Sequence, residues 1–194
     1  MLNELFSSLR PAIAFTLAFF ILLGLGYPLA ITGVAQAAFP HQANGSLVEK
    51  DGAFVGSALI AQKFAADGYF HARPSAAGTN GYDPTASGGS NYGATAKALI
   101  TRIQGDLKAQ PGAPADLVTT SASGLDPEIS PDAAQYQIPR VAAARHIPTA
   151  RLTALVAGHT DQPLLGFLGE PRVNVLQLNL ALDNSAPHGA QGGR

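Results

Sequence analysis

An uncharged apolar run near the N-terminus is the clearest pattern in the chain. From Pro11 to His41 there is no charged residue apart from that histidine, and residues 13–34 are mostly Ala, Phe, Ile and Leu. About twenty helical residues, at about 1.5 Å each, cross the roughly 30 Å hydrocarbon core of a bilayer. The pattern therefore predicts a transmembrane helix over residues 11–35.

The charges beside this run predict its orientation. Arg10 precedes the run and Glu4 partly offsets it, so the positive-inside rule places the tail, residues 1–10, in the cytoplasm and residues 36–183 outside it. The alternative is a cleaved signal peptide, because residues 35–37 have the small side chains of a cleavage site. The apolar run is longer than the core of about 7–15 residues that signal peptides carry, which favours a retained anchor.

Small residues recur along the predicted membrane helix at four-residue multiples. They are Ala14, Ala18, Gly26 and Ala30. A face of small side chains lets a second helix approach closely, so we expect these residues to contact a helix of a partner protein. The alternative is that an alanine-rich composition produces the spacing by itself.

The pattern after the membrane helix predicts one small extracytoplasmic domain of the α+β class. Helices are expected at 57–65, 94–109, 131–145 and 148–157, and an extended run at 116–120. Ser130 is a suitable N-cap for the third helix, and Pro139 inside that helix is expected to kink or interrupt it. Residues 173–182 fit both a strand and a helix, and Pro171 just ahead favours the helix. The Gly-rich tail, residues 184–194, is expected to be disordered.

A polar segment over residues 67–93 is the least regular part of the chain. Segments of this length without periodicity are usually functional or disordered, and the tyrosines here favour an ordered loop. We expect it to form, together with the turn at residues 121–127, a surface that binds a partner, because Tyr and Arg anchor interfaces. The expected contact residues are Arg73, Tyr82, Asp83, Tyr92, Ser123 and Asp126. The alternative for Arg73 and Asp83 is a structural role, in which they pair with one another.

Composition excludes several functional classes. The 12 Lys and Arg residues against 13 Asp and Glu residues leave no electrostatic footprint for nucleic acid. Because the chain has no cysteine, disulfides, thiolate catalysis and Cys-type zinc sites are excluded. The five histidines lack the spacing of metal ligands, so no metal site is expected.

Motifs of catalysis are also missing from the sequence. There is no phosphate-binding P-loop, no Gly-x-Ser-x-Gly and no Ser-x-x-Lys, so no catalytic residue and no firmly bound cofactor are expected. Two alternatives stay open. One is an anchored extracytoplasmic serine hydrolase that uses Ser123 or Ser90, and the other is a solute-binding module.

Several short runs, read together and in order, resemble the C subunit of the bacterial Kdp potassium-transporting P-type ATPase. The runs are residues 27–29, 32–33, 42–47, 69–75, 82–83, 86–91, 116–118, 121–127, 137–141 and 169–174. The match that they make extends along all of the chain but its tail, and blocks that keep one order are more specific than a single motif. Tyr92 and Ala94 depart from the pattern, in which Leu and Pro are expected.

The resemblance implies a non-catalytic accessory subunit of a high-affinity potassium uptake complex in the bacterial inner membrane. Its implied partners are a potassium-conducting subunit, a P-type ATPase subunit, a small single-helix subunit and membrane lipid. It implies that the chain assists assembly and, as a catalytic chaperone, raises the ATP affinity of the ATPase subunit, with ATP shared between the two. Gln137 resembles a position that the family associates with nucleotide. The Asp-Lys-Thr-Gly motif of P-type pumps is missing, so this chain is not expected to be phosphorylated.

Overall fold

A computed structural model describes residues 2–185 of the chain. The chain divides into two compact units, of which the first ends at Leu47 and the second begins at Val48.

The N-terminal unit is a long helix followed by one short turn of helix. Its elements are α1 (Leu2–Phe19), a π-helical segment (Phe20–Gly26), α2 (Tyr27–Ala38) and α3 (Pro40–Ala43). The stretch Phe6–Ala38 has a mean hydropathy of 2.1 and is long and apolar enough to cross a membrane, which confirms the predicted membrane-spanning helix. The helix begins at Leu2 rather than at Pro11, so Pro11 lies inside α1, where it removes one helical hydrogen bond.

The C-terminal unit begins with a two-stranded hairpin and continues through a long irregular connection. Strands β1 (Leu47–Lys50) and β2 (Ala53–Ser57) pair. Asp51 and Gly52 between them both have positive φ, +53° and +78°, as the type I′ turn of a two-residue hairpin requires. The connection leads to α4 (Lys97–Ala109) and the short α5 (Ala115–Val118).

The second half of this unit holds a three-stranded antiparallel sheet and three helices. In chain order they are β3 (Glu128–Ile129), α6 (Pro131–Arg145), α7 (Thr149–Gly158), β4 (Thr160–Asp161), β5 (Arg172–Asn174) and α8 (Val175–Ser185). The strand order is β3-β5-β4, and Val173 in the central strand faces Ile129 on one side and Thr160 on the other. The mixed helix and strand content confirms the predicted α+β domain.

The hydrophobic core lies among α6, α7, α8 and the central strand. Its fully buried large side chains include Phe70, Val141, Leu152, Val156, Val173, Leu178 and Leu182. Phe70 comes from the irregular connection rather than from a helix or strand, so that connection is part of the core. Burial of each such side chain contributes about 1.5–3 kcal/mol toward folding.

Helix α6 is the element that the sequence predicted best. It spans Pro131–Arg145, and the Ser130 hydroxyl accepts a hydrogen bond from the backbone N–H of Ala133 at 3.0 Å, as expected of the N-cap. The predicted interruption at Pro139 is wrong, because the helix continues through it; the alternative, a kink, stays a prediction. Both Pro139 and Gln135, whose carbonyl loses its helical donor, are exposed, so water can satisfy that carbonyl.

Two predicted elements are wrong. Residues 57–65 do not form a helix: Ser57 ends β2, residues 58–60 form a turn and residues 61–65 are irregular. The backbone N–H of Ala61 donates to the carbonyl of Leu125 at 3.0 Å, so it is not available for a helical hydrogen bond. Residues 116–120 were expected to be extended, but α5 is one helical turn with Leu117 buried against the core. In both places tertiary contacts override a short local pattern.

Residues 173–182, whose pattern fits both a strand and a helix, contain the end of a strand followed by a helix. Arg172–Asn174 form the central strand, and the chain then turns directly into α8. Residues 184 and 185, placed in the predicted disordered tail, are the last residues of α8. Residues 186–194 of that tail lie outside the described residues.

Candidate partner-binding site

The irregular connection and the serine-rich turn pack against one another. The loop platform, as we call this pair of segments, comprises residues 67–93 and 121–127. The backbone N–H of Gly88 donates to the carbonyl of Ser123 at 2.8 Å, and the backbone N–H of Ser121 donates to the carbonyl of Pro74 at 3.1 Å. The structure therefore brings together the two segments that the sequence singled out.

Gly124 lies at a close approach between the two segments of the platform. Its φ is +67°. A Cβ placed there would lie 2.6 Å from the carbonyl oxygen of Gly88 and 2.8 Å from Ala77. Only glycine fits both the left-handed backbone and the space, so the close packing of the platform depends on this residue.

Two buried side-chain amides hold the platform to the helical core. Asn179 of α8 accepts from the backbone N–H of Phe70 at 2.9 Å and donates to the carbonyl of Phe70 at 2.9 Å. Gln137 of α6 does the same for His71, at 2.8 Å and 3.1 Å. Each amide thus bonds to both the backbone N–H and the backbone carbonyl of one residue, as a neighbouring β-strand would. These backbone groups would otherwise be buried without hydrogen-bond partners.

Gln137 has further hydrogen bonds inside the domain. Its amide nitrogen also donates to the carbonyl of Ala133 at 3.3 Å, and its oxygen also accepts from Arg140 at 2.7 Å. The residue is 4% exposed and borders a cavity of about 210 Å³ that Lys63 and Tyr82 also line. All four hydrogen-bonding positions of the amide are used within the protein. Its contact with nucleotide stays a prediction.

His71, which the side-chain amide of Gln137 holds, is partly buried against α6. Burial and the nearby charge of Arg140 lower the pKa of His71, and they outweigh the hydrogen bond of its ring to the carbonyl of Ala66. The imidazole is therefore held neutral to lower pH than usual, and its polar contacts serve the fold.

Arg73, Tyr82 and Asp126 contact one another within the platform. The guanidinium of Arg73 lies 3.1 Å from the carboxylate of Asp126, and the Tyr82 hydroxyl donates to the carbonyl of Arg73 at 2.9 Å. Burial raises the pKa of the Tyr82 hydroxyl. Asp83 instead accepts from the backbone and hydroxyl of Thr85, at 2.8 Å and 2.7 Å, and these bonds lower its pKa. Arg73 thus pairs with Asp126, whereas the alternative had paired it with Asp83.

Among the proposed contact residues of the platform, Tyr92 and Ser123 are the two that are exposed to solvent. Tyr92 is 48% exposed. Ser123 is exposed, and its hydroxyl lies 3.1 Å from the Ser121 hydroxyl and accepts from the backbone N–H of Leu125 at 3.1 Å. These contacts are those of a serine-rich turn that satisfies its own backbone.

A groove of about 570 Å³ lies beside the platform, and sequence reasoning missed it. Its charged lining comprises Asp116, Asp126, Glu128, Asp132, Glu170, Arg73 and Arg172. Arg172 pairs with Glu128 at 2.9 Å, and Asp116 accepts from the backbone N–H of Ser130 at 2.8 Å. Within residues 2–185 no group of acidic or histidine side chains is placed to hold a metal ion. No local pattern could reveal the groove, because its carboxylates meet only when β3 pairs with β5.

A second charged cluster, also missed, fixes the end of α8. Asp183 lies 2.7 Å from Arg145 and 3.2 Å from Lys50, and the guanidinium of Arg145 lies 4.5 Å from the centre of the Tyr69 ring. Burial raises the pKa of Asp183, but the hydrogen bonds and charges of Arg145 and Lys50 together lower it below its usual value. The cluster joins β1, α6, α8 and the platform.

The π-helical segment changes which residues share a face of the membrane helix. Each residue of an α-helix advances by about 100°, so Ala14 and Ala30 would be separated by about 160° in a regular helix. Over Phe20–Gly26 the helix has the wider i→i+5 turn, in which each residue advances by roughly 80°. This segment therefore reduces the angular separation between Ala14 and Ala30 by on the order of 130°. Ala14, Ala18, Gly26 and Ala30 then lie along one face.

Comparison with known proteins identifies the family. A sequence model of the family described as K+-transporting ATPase, c chain (KdpC) matches residues 9–184. A potassium-transporting ATPase KdpC subunit of Caulobacter vibrioides is 59% identical over 188 residues, which cover 93% of this chain and 95% of the relative. Proteins of the same name in Gemmatimonas aurantiaca and Bradyrhizobium diazoefficiens are 56% and 54% identical, over 91% and 96% of this chain and 92% and 99% of the relatives. The chain belongs to the family of KdpC subunits of potassium-transporting ATPases.

Proposed function

We propose that the chain is a non-catalytic accessory subunit that assists assembly of the potassium-transporting ATPase. The observation that carries this proposal is the chemistry of the platform. The Ser123 hydroxyl is engaged by Ser121 and Leu125. The Nε2 atom of His71 in the platform and the Nδ1 atom of His159 outside it each contact a backbone carbonyl. A serine nucleophile needs a base within hydrogen-bond reach, and these groups are used by the fold instead. This supports an interaction surface over a hydrolase.

The platform is proposed to face a partner subunit through its exposed part. Tyr92 is the best probe, because it is exposed and aromatic anchors carry much of the energy of interfaces. Arg73, Tyr82 and Asp126 contribute mainly by fixing the backbone of the platform, since they bond to one another. Tyr92→Ala should therefore lower recovery of the complex without changing the thermal midpoint of the chain. Tyr82→Phe, which removes one internal hydrogen bond, should lower the thermal midpoint instead.

The membrane helix is proposed to dock against a helix of another subunit through its small-residue face. The π-helical segment supports this, because it aligns residues that a regular helix would spread around its circumference. Small side chains permit close backbone approach, which is what holds helices together in lipid. The proposed partners are the potassium-conducting subunit, the P-type ATPase subunit and the small single-helix subunit.

We further propose that the N-terminus is cytoplasmic and that the C-terminal unit lies outside the inner membrane. Arg10 before the apolar span supports this orientation. The chain has no cysteine, so Ser7→Cys and Asn184→Cys can be labelled on intact cells with an impermeant thiol reagent. Labelling at Asn184 alone is expected. Labelling at Ser7 alone would reverse the proposed topology.

A rise in the ATP affinity of the ATPase subunit is proposed to follow from assembly. With the C-terminal unit outside the membrane, cytoplasmic ATP would not reach Gln137, so the effect would act through the partner subunit. The test compares Gln137→Ala with Asn179→Ala, because each removes one of the two buried side-chain amides that hold the loop platform to the helical core. A loss of stability in both variants, with an unchanged KM for ATP in the recovered complex, supports an effect that acts through the partner subunit. A rise in KM for Gln137→Ala alone would instead assign nucleotide contact to that residue.

A further inference from the structure

Four large apolar side chains are exposed together between β4 and β5. Leu164, Leu165, Phe167 and Leu168 are 69%, 75%, 72% and 49% exposed. The surrounding run, residues 162–169, carries no charge. We call residues 163–168 the apolar tip. Exposed side chains of this kind are ordinary when scattered, but a contiguous group indicates a surface that another molecule covers.

The apolar tip is an ordered hairpin. Leu164 and Leu168 exchange both backbone hydrogen bonds, at 3.1 Å and 2.9 Å, and the backbone N–H of Phe167 donates to the carbonyl of Leu164 at 3.3 Å. Leu165 and Gly166 between them have φ of +56° and +79°. Turns with two positive φ values favour Asn-Gly or Asp-Gly, so turn formation does not explain Leu165. Its side chain is better explained by what it contacts outside the chain.

The charges around the apolar tip indicate the chemistry of its partner. Asp161 and Glu170 lie at its two ends, and both are exposed. Glu170 also lines the groove, in which five carboxylates accompany Arg73 and Arg172. An anionic lipid surface would be repelled by this surround, whereas a protein pocket with Lys and Arg at its rim would be attracted to it.

We propose that the apolar tip inserts into an apolar pocket with a basic rim on another subunit of the same potassium-transporting ATPase. The pocket lies on the side of the membrane that holds the C-terminal unit. This inference rests on the proposed function, because an accessory subunit must contact the rest of its complex. It adds a contact outside the loop platform, at residues for which the sequence predicted no role.

Photo-cross-linking in the assembled complex tests the contact directly. A photoreactive amino acid replaces Phe167 in the full chain, and Leu59, which is 62% exposed in another loop, provides the matched control position. After irradiation of membranes, mass spectrometry identifies the cross-linked product. We expect a product with another ATPase subunit from position 167 at clearly higher yield than from position 59. The proposal is overturned by products with lipid or a second copy of this chain alone, by no product, or by equal yields at the two positions.

Substitution gives an independent measure. Replacing Leu165 and Phe167 together with serine should lower recovery of the other subunits by about tenfold, because truncated interface anchors cost this much. Leu59→Ser should leave recovery within about twofold, as expected away from an interface, and the thermal midpoint of the full chain should stay unchanged in both variants. Failure of the unaltered chain to recover any subunit would refute the proposed function. Normal recovery by the double variant would refute only the apolar-tip contact.

Discussion

Replacing Gly124 with alanine tests whether close packing within the loop platform stabilises the domain. The new methyl group would lie 2.6 Å from the carbonyl oxygen of Gly88 and 2.8 Å from Ala77. Both neighbours belong to the other segment of the platform. The atoms concerned are a backbone oxygen of Gly88 and the Cβ and backbone nitrogen of Ala77, so the clash cannot be relieved by rotating a flexible side chain. Gly112 is the matched control: its φ is +75°, but nothing lies within 4 Å of a Cβ placed there.

The two substitutions share one energetic cost and differ in a second. Alanine in the left-handed region costs about 1 kcal/mol, which applies to Gly112→Ala and to Gly124→Ala alike. Forcing a methyl group into filled space costs about a further 1–3 kcal/mol. Gly124→Ala should therefore lower the free energy of unfolding by about 2–4 kcal/mol in total, a large part of the about 5–15 kcal/mol that a domain has.

Urea unfolding of the full chain in detergent, followed by tyrosine circular dichroism, measures both variants. Of the five tyrosines only Tyr27 lies in the membrane span, so the signal reports mainly on the C-terminal unit. We expect the midpoint to fall more for Gly124→Ala than for Gly112→Ala, with the slope unchanged. Equal shifts would refute the close approach between the two segments of the platform.

Three further contacts can be tested by substitution. Asp183→Asn should lower the free energy of unfolding by about 3–5 kcal/mol at neutral pH, because it removes the carboxylate that faces the buried guanidinium of Arg145. Glu128→Gln, in an exposed ion pair, should lower it by at most about 1 kcal/mol. Because the pKa of Asp183 is below its ordinary value of 3.8, its contribution is present above that pH and is lost as the pH falls through the folded pKa. Urea titrations at several pH values should show this acid loss in the unaltered chain and its absence in Asp183→Asn. Asn179→Ala should lower the free energy of unfolding by about 1–3 kcal/mol, because it leaves the backbone N–H and carbonyl of Phe70 unsatisfied. A loss below about 0.5 kcal/mol, the range of a neutral surface substitution, would contradict a stabilising role for the Asn179 amide. Gly26→Leu should lower co-purification of the other subunits more than Leu23→Ala does, and equal effects would mean that the small-residue face has no special role.

The sequence predicted those elements that local chemistry determines. The apolar span and helix α6 with its Ser130 cap were both read correctly, because hydropathy and capping act within a few residues. The hairpin at Asp51-Gly52 was missed although the signal was present, since Asp-Gly is a strong indicator of a type I′ turn.

Other features depend on residues far apart in the chain and could not be read locally. The order of the irregular connection comes from Asn179, which lies 109 positions along the chain from Phe70, and from Gln137, which lies 66 positions from His71. Nothing in the local sequence distinguishes these two side chains from other polar residues in α8 and α6. The acidic groove likewise exists only because β5 brings Glu170 and Arg172 beside β3.

The chain is proposed to serve the ATPase as a binding subunit rather than as a catalyst. The most direct test measures potassium-stimulated ATP hydrolysis per recovered complex, together with the yield of complex, for Ser123→Ala and Tyr92→Ala side by side. We predict near-normal turnover for both, and a yield that falls by more than about fivefold only for Tyr92→Ala, as for loss of an interface anchor. Loss of turnover by several orders of magnitude in Ser123→Ala at normal yield would contradict the claim, because that is the effect of removing a nucleophile.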